Sequence, residues 1–168
     1  PPVNIVSLEH GTSLIWHEFL SGWFNGAGHI LSDGQGATTF PVASDFAFGA
    51  SSLKQPVDGL SFVMVTVQRP DTRHPHIESA AGRLQNMRWH WRLYVRAKLA
   101  KANLSEQLCL QASDLTYAVL SSEHVHLAPL AGQGLFNIRT EPAQVIAAAD
   151  APTRVLNLKA EIQPAKLK

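Results

Sequence analysis

The sequence is short of cysteine, of net charge and of long apolar runs. Its single cysteine, Cys109, excludes an internal disulfide framework. A formal net charge of +1 excludes a strong overall field that would draw nucleic acid or an anionic membrane to the whole chain. No stretch approaches the roughly 20 apolar residues that span a bilayer, so we expect no transmembrane helix.

Charged residues are also scarce, at 16% of the chain against the roughly 25% of an ordinary domain. A surface so poor in charge exposes much polar-neutral and apolar area, and neighbouring subunits often cover such surfaces. We therefore expect the chain to form an oligomer.

The sequence does contain enough apolar residues to form one folded core. Apolar residues make up 45% of the 168 positions, which predicts a single domain over residues 1–168 and argues against disorder. The first four residues, Pro1 to Asn4, show no basic segment followed by an apolar one. We therefore expect no secretory signal and a cytoplasmic location by default.

In the first half, apolar residues spaced by three and four predict a helix over residues 12–24. Thr12 or Ser13 is the expected N-cap, and Asn25 with Gly26 is the expected end. The predicted apolar face of this helix consists of Leu14, Ile15, Phe19, Leu20, Trp23 and Phe24. Short extended segments are predicted at 37–42 and 46–48, a central strand at 60–68 and a long loop at 69–82.

The second half contains the clearest strand, over residues 88–99, where side chains that are mainly apolar alternate over twelve residues with side chains that are mainly polar. Asn103 and Glu106 form an approximate capping box for a helix that ends near Ser121, and Cys109 is expected to pack inside it. Further strands are predicted at 125–127, 134–138, 143–148 and 153–164. The pattern predicts an α+β fold, a mostly antiparallel sheet with two helices packed on one face and long loops.

A basic stripe is the main candidate for binding. No acidic residue stands between Glu78 and Glu106, and cations recur through that stretch. One interpretation is a row that tracks a phosphate backbone, or that meets a neighbouring subunit. The other is a solvated sheet face, or ion pairs with acidic residues on the next strand or on a neighbouring subunit. The candidate interface or DNA-channel residues are Arg69, Arg73, Arg83, Arg88, Arg92, Arg96 and Lys98.

Signatures of catalysis and of cofactors are weak. The pairs His74 with His76 and His124 with His126 have no Cys or Glu motif nearby, so we expect no metal site. There is no Gly-x-Ser-x-Gly, and the short glycine pairs lack the strand-to-helix setting of a phosphate loop. We therefore expect no cofactor and no enzymatic activity.

The order of elements in residues 82–163 is distinctive. An arginine-led strand (RWHWRLYVRAK, 88–98) runs into a capped helix (105–120), weak strands follow, and an arginine-led strand (RVLNLKAEI, 154–162) closes the segment. This order resembles that of the tail terminator proteins of long-tailed phages. The first half fits loosely, with an N-terminal helix and a strand pair leading into a long loop.

Members of that family form hexameric rings that cap the tail tube, stop its polymerisation and join it to the head, without enzymatic activity. The resemblance implies a structural protein of the virion tail or neck, present in the host cytoplasm during assembly. It implies as partners other copies of the chain, the tail-tube protein and the head–tail connector proteins, with transient contact to passing DNA and none to membrane. It carries over no catalytic residue.

A second hypothesis remains open beside the ring. The chain would be a small α+β module that binds nucleic acid or another anion through the basic strand face, residues 88–98, and the 69–82 loop. That hypothesis predicts a monomer or dimer with salt-dependent affinity, whereas the ring predicts a sixfold oligomer and no turnover.

Overall fold

The computed structural model describes residues 5–25, 30–32, 37–39, 45–69, 87–121, 130, 132, 134–147 and 151–162. Within them, a six-stranded sheet carries two helices on one face, so the predicted α+β class is confirmed. The elements are α1 (Ile5–Asn25), β1 (Ile30–Ser32), β2 (Ala37–Thr39), β3 (Asp45–Phe48), the 3-10 helix η1 (Ala50–Lys54), β4 (Gly59–Gln68), β5 (Met87–Lys98), α2 (Ala102–Ser121), β6 (Leu135–Thr140), β7 (Gln144–Ile146) and β8 (Thr153–Ile162).

The main sheet has the strand order β3-β4-β5-β8-β6, and β7 also pairs with β8. Among the described strands, only the β3–β4 pair is parallel, and β1 and β2 form a separate antiparallel pair. β6 lies along the C-terminal half of β8 and β7 along its N-terminal half. The two short strands together therefore form one edge of the sheet, and β3 lies at the other.

The packed face of the sheet is set by the alternation of β5. Trp89, Trp91, Leu93, Val95 and Ala97 are all buried, as the alternation predicts. Register places Phe62 beside Val95 on one side and Leu156 beside Leu93 on the other. Because β4 and β8 supply apolar side chains at these positions, the core spans the three central strands.

Both helices pack on that face, each over a different part of the sheet. The ring of Trp16 in α1 meets Trp91 edge-on at a centroid distance of 5.5 Å, and His17 lies 5.4 Å from the ring of Phe46. In α2, Leu108 and Ala112 are fully buried in the same core. α1 thus lies toward β3, whereas α2 lies over β5, β8 and β6.

The predicted start of α1 is wrong, although its end at Asn25 is confirmed. The helix begins at Ile5, so Thr12 lies inside it and is 1% exposed rather than acting as an N-cap. Leu14 is 54% exposed and lies off the apolar face, while Trp16 is fully buried in its place. The helix extends back because Ile5 and Leu8 continue the spacing of three and four through Gly11.

The predicted capping box of α2 is also wrong. α2 begins at Ala102, which places Asn103 inside the first turn. The Ser105 hydroxyl oxygen instead accepts a hydrogen bond from the Leu99 amide at 2.7 Å, and its O–H lies 3.1 Å from the Lys101 carbonyl oxygen. Because Ser105 is 2% exposed, this side chain joins the end of β5 directly to the start of α2.

The later strands are confirmed with shifted ends. The segments predicted at 134–138, 143–148 and 153–164 are β6, β7 and β8. β6 contains an irregularity at Asn137, whose φ of 52° lies in the left-handed region that asparagine tolerates. The predicted strand at 125–127 and most of the predicted 69–82 loop lie outside the described residues, as do the side chains of Trp23 and Phe24.

Cys109 is confirmed as a packed side chain, and it offers a clean reporter of unfolding. It is 1% exposed, and its Sγ donates to the Val95 carbonyl oxygen at 3.3 Å. Burial raises the pKa of this thiol from 9.0 to about 11, with a partial opposing effect of the Arg154 charge. Because the thiolate reacts, we expect no labelling by a disulfide reagent at pH 8 in the native chain and one labelled thiol in denaturant.

The same pKa shift fixes the sign of a pH effect. The folded chain holds the thiol proton more tightly than the unfolded chain, so the stabilisation is complete below pH 9.0 and is lost as pH rises toward about 11. We expect the free energy of unfolding of a Cys109→Ala variant to lack this loss when it is measured between pH 9.0 and about 11. Rapid native labelling at pH 8, or the same pH profile in both chains, would contradict the burial.

Candidate functional site

The face of the sheet opposite the helices carries the polar side chains of β5 and has two parts. At one end, η1 lies over the strands β4 and β5. The chain turns into η1 at Gly49, whose φ of 94° suits glycine, and the Gly49 amide donates to the Met64 carbonyl oxygen at 2.9 Å. The other end of this face is occupied by the exposed side chains of β5, β8 and β6.

Arg96 belongs to the covered end, so its prediction as part of an exposed basic row is wrong. It is 7% exposed. Its guanidinium donates from Nη1 to the Ser52 carbonyl oxygen at 3.3 Å and from Nη2 to the Gln55 carbonyl oxygen at 2.9 Å. Alternation assigned Arg96 to the correct side of β5, but η1 then covers it. This arginine holds η1 against the sheet and is not available to a ligand.

The open end gathers cations from three strands. His90 of β5 lies opposite Lys159 of β8, and Lys159 lies opposite Arg139 of β6. Arg88 and Arg92 flank His90 along β5 on the same side. We call the four exposed cations Arg88, Arg92, Arg139 and Lys159 the cationic patch.

Hydrogen bonds order part of this surface. Arg88 Nε lies 3.5 Å from Glu161 Oε1, and Asn137 Nδ2 donates to Glu161 Oε2 at 2.7 Å. His90 Nε2 lies 3.1 Å from Asn157 Oδ1. An open cavity of about 420 Å³ has a lining that includes Arg88, His90, Asn137, Arg139, Lys159 and Glu161. The Arg88 ion pair is weakly stabilising, since the arginine side chain is 89% exposed.

The charges of this surface do not balance among the described residues. Lys159 and Arg139 stand directly opposite each other on adjacent strands, and like charges in that position are destabilising. Glu161 offsets part of the charge, and Glu141, whose amide donates to the Asn157 carbonyl oxygen, adds a second carboxylate at the edge. A net positive surface remains, whose chemistry is that of an anion-binding site.

The other sequence candidates are dispersed. Lys98 is exposed at the opposite end of β5 from Arg88, and Arg69 is exposed just after β4. Arg73 and Arg83 lie outside the described residues. Sequence reasoning missed Arg139 and Lys159. The alternation of β8 could have placed Lys159 on the face of the strand away from its buried leucines. Its position beside His90 follows only from the register between β5 and β8.

The described portions of the chain hold no cluster of three or more His, Cys, Asp or Glu side chains suited to a metal ion. His74, His76, His124 and His126 lie outside those portions. Among the helices of the described residues, none is long and apolar enough to cross a membrane. No protein-family model matches the chain, and no curated protein matches it.

Proposed function

We propose that the chain is a structural virion subunit that closes into a hexameric ring at the head-proximal end of a phage tail. The ring ends polymerisation of the tail tube and joins the tail to the head connector. Its partners are other copies of the chain, the tail-tube protein and the connector proteins, and it has no turnover. The element order that resembles tail terminators is one support, and the described elements follow that order from β5 onward.

The observation that carries the proposal is a pair of open stretches at opposite edges of the sheet. β3 pairs only with the segment of β4 from Ser61 to Met64. Among the described strands, the rest of β4 therefore has no neighbour on that side, and Val67 there is 42% exposed. At the other edge, β8 is the strand that pairs with β7 within the described part of the chain, and Val145 is 70% exposed.

Two different edges on opposite sides of one subunit fit a head-to-tail contact. Such a contact is heterologous, and repetition of it closes into a ring when the rotation between copies allows. Strand edges with exposed apolar side chains are also the surfaces that proteins normally cover. A ring that joins the Val67 edge of one copy to the Val145 edge of the next covers both edges with one contact.

Lysine at either edge is expected to block assembly, because a charge on an edge strand opposes pairing with another chain. We expect Val67→Lys and Val145→Lys, each alone, to reduce the assembly to the monomer of 18.3 kDa. The matched control is Leu110→Lys, a leucine that is 39% exposed on α2 and should leave the ring intact. Size-exclusion chromatography with light scattering gives the masses.

Mixing the two edge variants tests the head-to-tail arrangement. Each variant keeps the edge that the other has lost, so an equimolar mixture restores one contact and should yield a heterodimer but no ring. Contacts of each edge with itself would instead leave each variant a homodimer on its own, and mixing would produce no heterodimer. A ring that survives both substitutions would show that assembly uses other surfaces.

A further inference from the structure

We infer that the cationic patch binds the phosphodiester backbone of a nucleic acid duplex, without reading its sequence. The inference concerns one subunit and does not depend on ring formation. It also differs from the row of β5 cations that the sequence predicts. Arg96 is withdrawn into hydrogen bonds with η1, and Arg139 and Lys159 enter from the neighbouring strands.

The arrangement of charge is the first argument. Arg139 and Lys159 lie opposite each other on the adjacent strands β6 and β8, where their charges repel. His90 on β5 continues the same cross-strand row. One of the two carboxylates near these cations, Glu161, already pairs with Arg88 and accepts a hydrogen bond from Asn137. An anion with several negative oxygens would turn this repulsion into attraction, which a single surface carboxylate does not do.

The dimensions of the patch favour an extended polyanion over a small ion. Arg88 and Arg92 are four residues apart on one strand, a distance of about 13 Å, and β5, β8 and β6 together span about 10 Å. A duplex segment about 13 Å long carries about eight phosphates, several of which face one side. Cations spread over that area match a charged backbone, whereas a single phosphate would contact only one row.

Among the described side chains of this face, the lack of fully exposed aromatic rings favours a duplex over a single strand. Single strands are held mainly by bases that stack on aromatic side chains. On this face the aromatic side chain of β5 is Tyr94, which is half-buried, and the tryptophans of β5 point into the core. The described part of the surface therefore offers charge for the backbone and no platform for bases.

The test measures binding of a short fluorescent DNA duplex of random sequence to the full chain over a range of salt concentrations. With Arg88 partly neutralised by Glu161, about three cations remain to neutralise phosphates. The logarithm of the affinity should then fall with the logarithm of salt with a slope of about −2.7, a loss of about 40-fold between about 50 and 200 mM.

The decisive comparison is between two double variants of equal charge. Arg139→Gln with Lys159→Gln should reduce the slope by about two, because each phosphate contact contributes about one. Lys54→Gln with Lys101→Gln removes two exposed lysines elsewhere and should keep the native slope. Circular dichroism and thermal unfolding should show both variants folded, with no loss of stability from removing the opposed Arg139 and Lys159 charges.

The inference would be overturned by no duplex binding at about 50 mM salt, by equal losses in the two double variants, or by a slope near zero. Competition by inorganic phosphate, at an ionic strength matched with chloride, would also overturn it by indicating a discrete phosphate site. Tighter binding of a single strand than of the duplex would do the same. Each variant's mass is measured alongside, so a ring without duplex binding, or binding without a ring, separates this inference from the proposed function.

Discussion

Replacement of Leu108 by alanine is expected to lower the free energy of unfolding by about 3 kcal/mol, within the range for buried leucines. Leu108 is fully buried in the core beneath α2, so the smaller side chain leaves a cavity among atoms that cannot close around it. Leu110, two residues further along the same helix, is 39% exposed. The same substitution there should change the free energy of unfolding by less than about 1 kcal/mol.

Urea unfolding of both variants at one protein concentration measures the difference, and equal concentration is needed because assembly shifts apparent stability. Alanine favours helix at both positions, so helix propensity does not explain a difference between them. Equal losses at the two positions would mean that α2 packs with another face toward the sheet.

Arg96→Met is the second large effect, and we expect it to lower the free energy of unfolding by about 3 kcal/mol. Methionine keeps much of the apolar stem but removes the donors to the carbonyl oxygens of Ser52 and Gln55. Hydrogen bonds from a charged donor contribute about 1.5–3 kcal/mol each, so the loss of both accounts for an effect of this size. Arg96→Lys should give an intermediate loss, since one ammonium cannot match the fork of a guanidinium.

The matched control is Arg92→Met, on the same strand and the same side of the sheet. Arg92 is exposed and belongs to the cationic patch, so its replacement should change stability by less than about 0.5 kcal/mol while weakening duplex binding. If Arg96→Met were as stable as Arg92→Met, the contact between Arg96 and η1 would not hold in solution.

The central strands could be predicted from sequence because their signal is long and local. β5 was predicted at 88–99 and is observed at Met87–Lys98, since an alternation of that length has no helical interpretation. The apolar run of β4 indicated a central strand, and β4 does lie between β3 and β5. The start of α1 was missed because Gly11, a weak helix former, separates the spacing of Ile5 and Leu8 from that of the later apolar residues.

The candidate site was only partly predictable, for a physical reason. Alternation tells which side of a strand a residue occupies, but it does not tell what covers that side. Arg96 is covered by residues 44 and 41 positions earlier in the chain, a contact that no local pattern encodes. Arg139 reaches Lys159 only through the register of β6, which is shifted by the irregularity at Asn137.

The most direct test of the ring is the mass of the purified chain in solution, measured by light scattering across a range of concentrations. The account predicts a mass that rises with concentration to about six times the 18.3 kDa of one chain and then stays constant. A plateau at that value, lost in Val67→Lys and in Val145→Lys, would support a closed head-to-tail ring. A mass of 18.3 kDa at every concentration would contradict it.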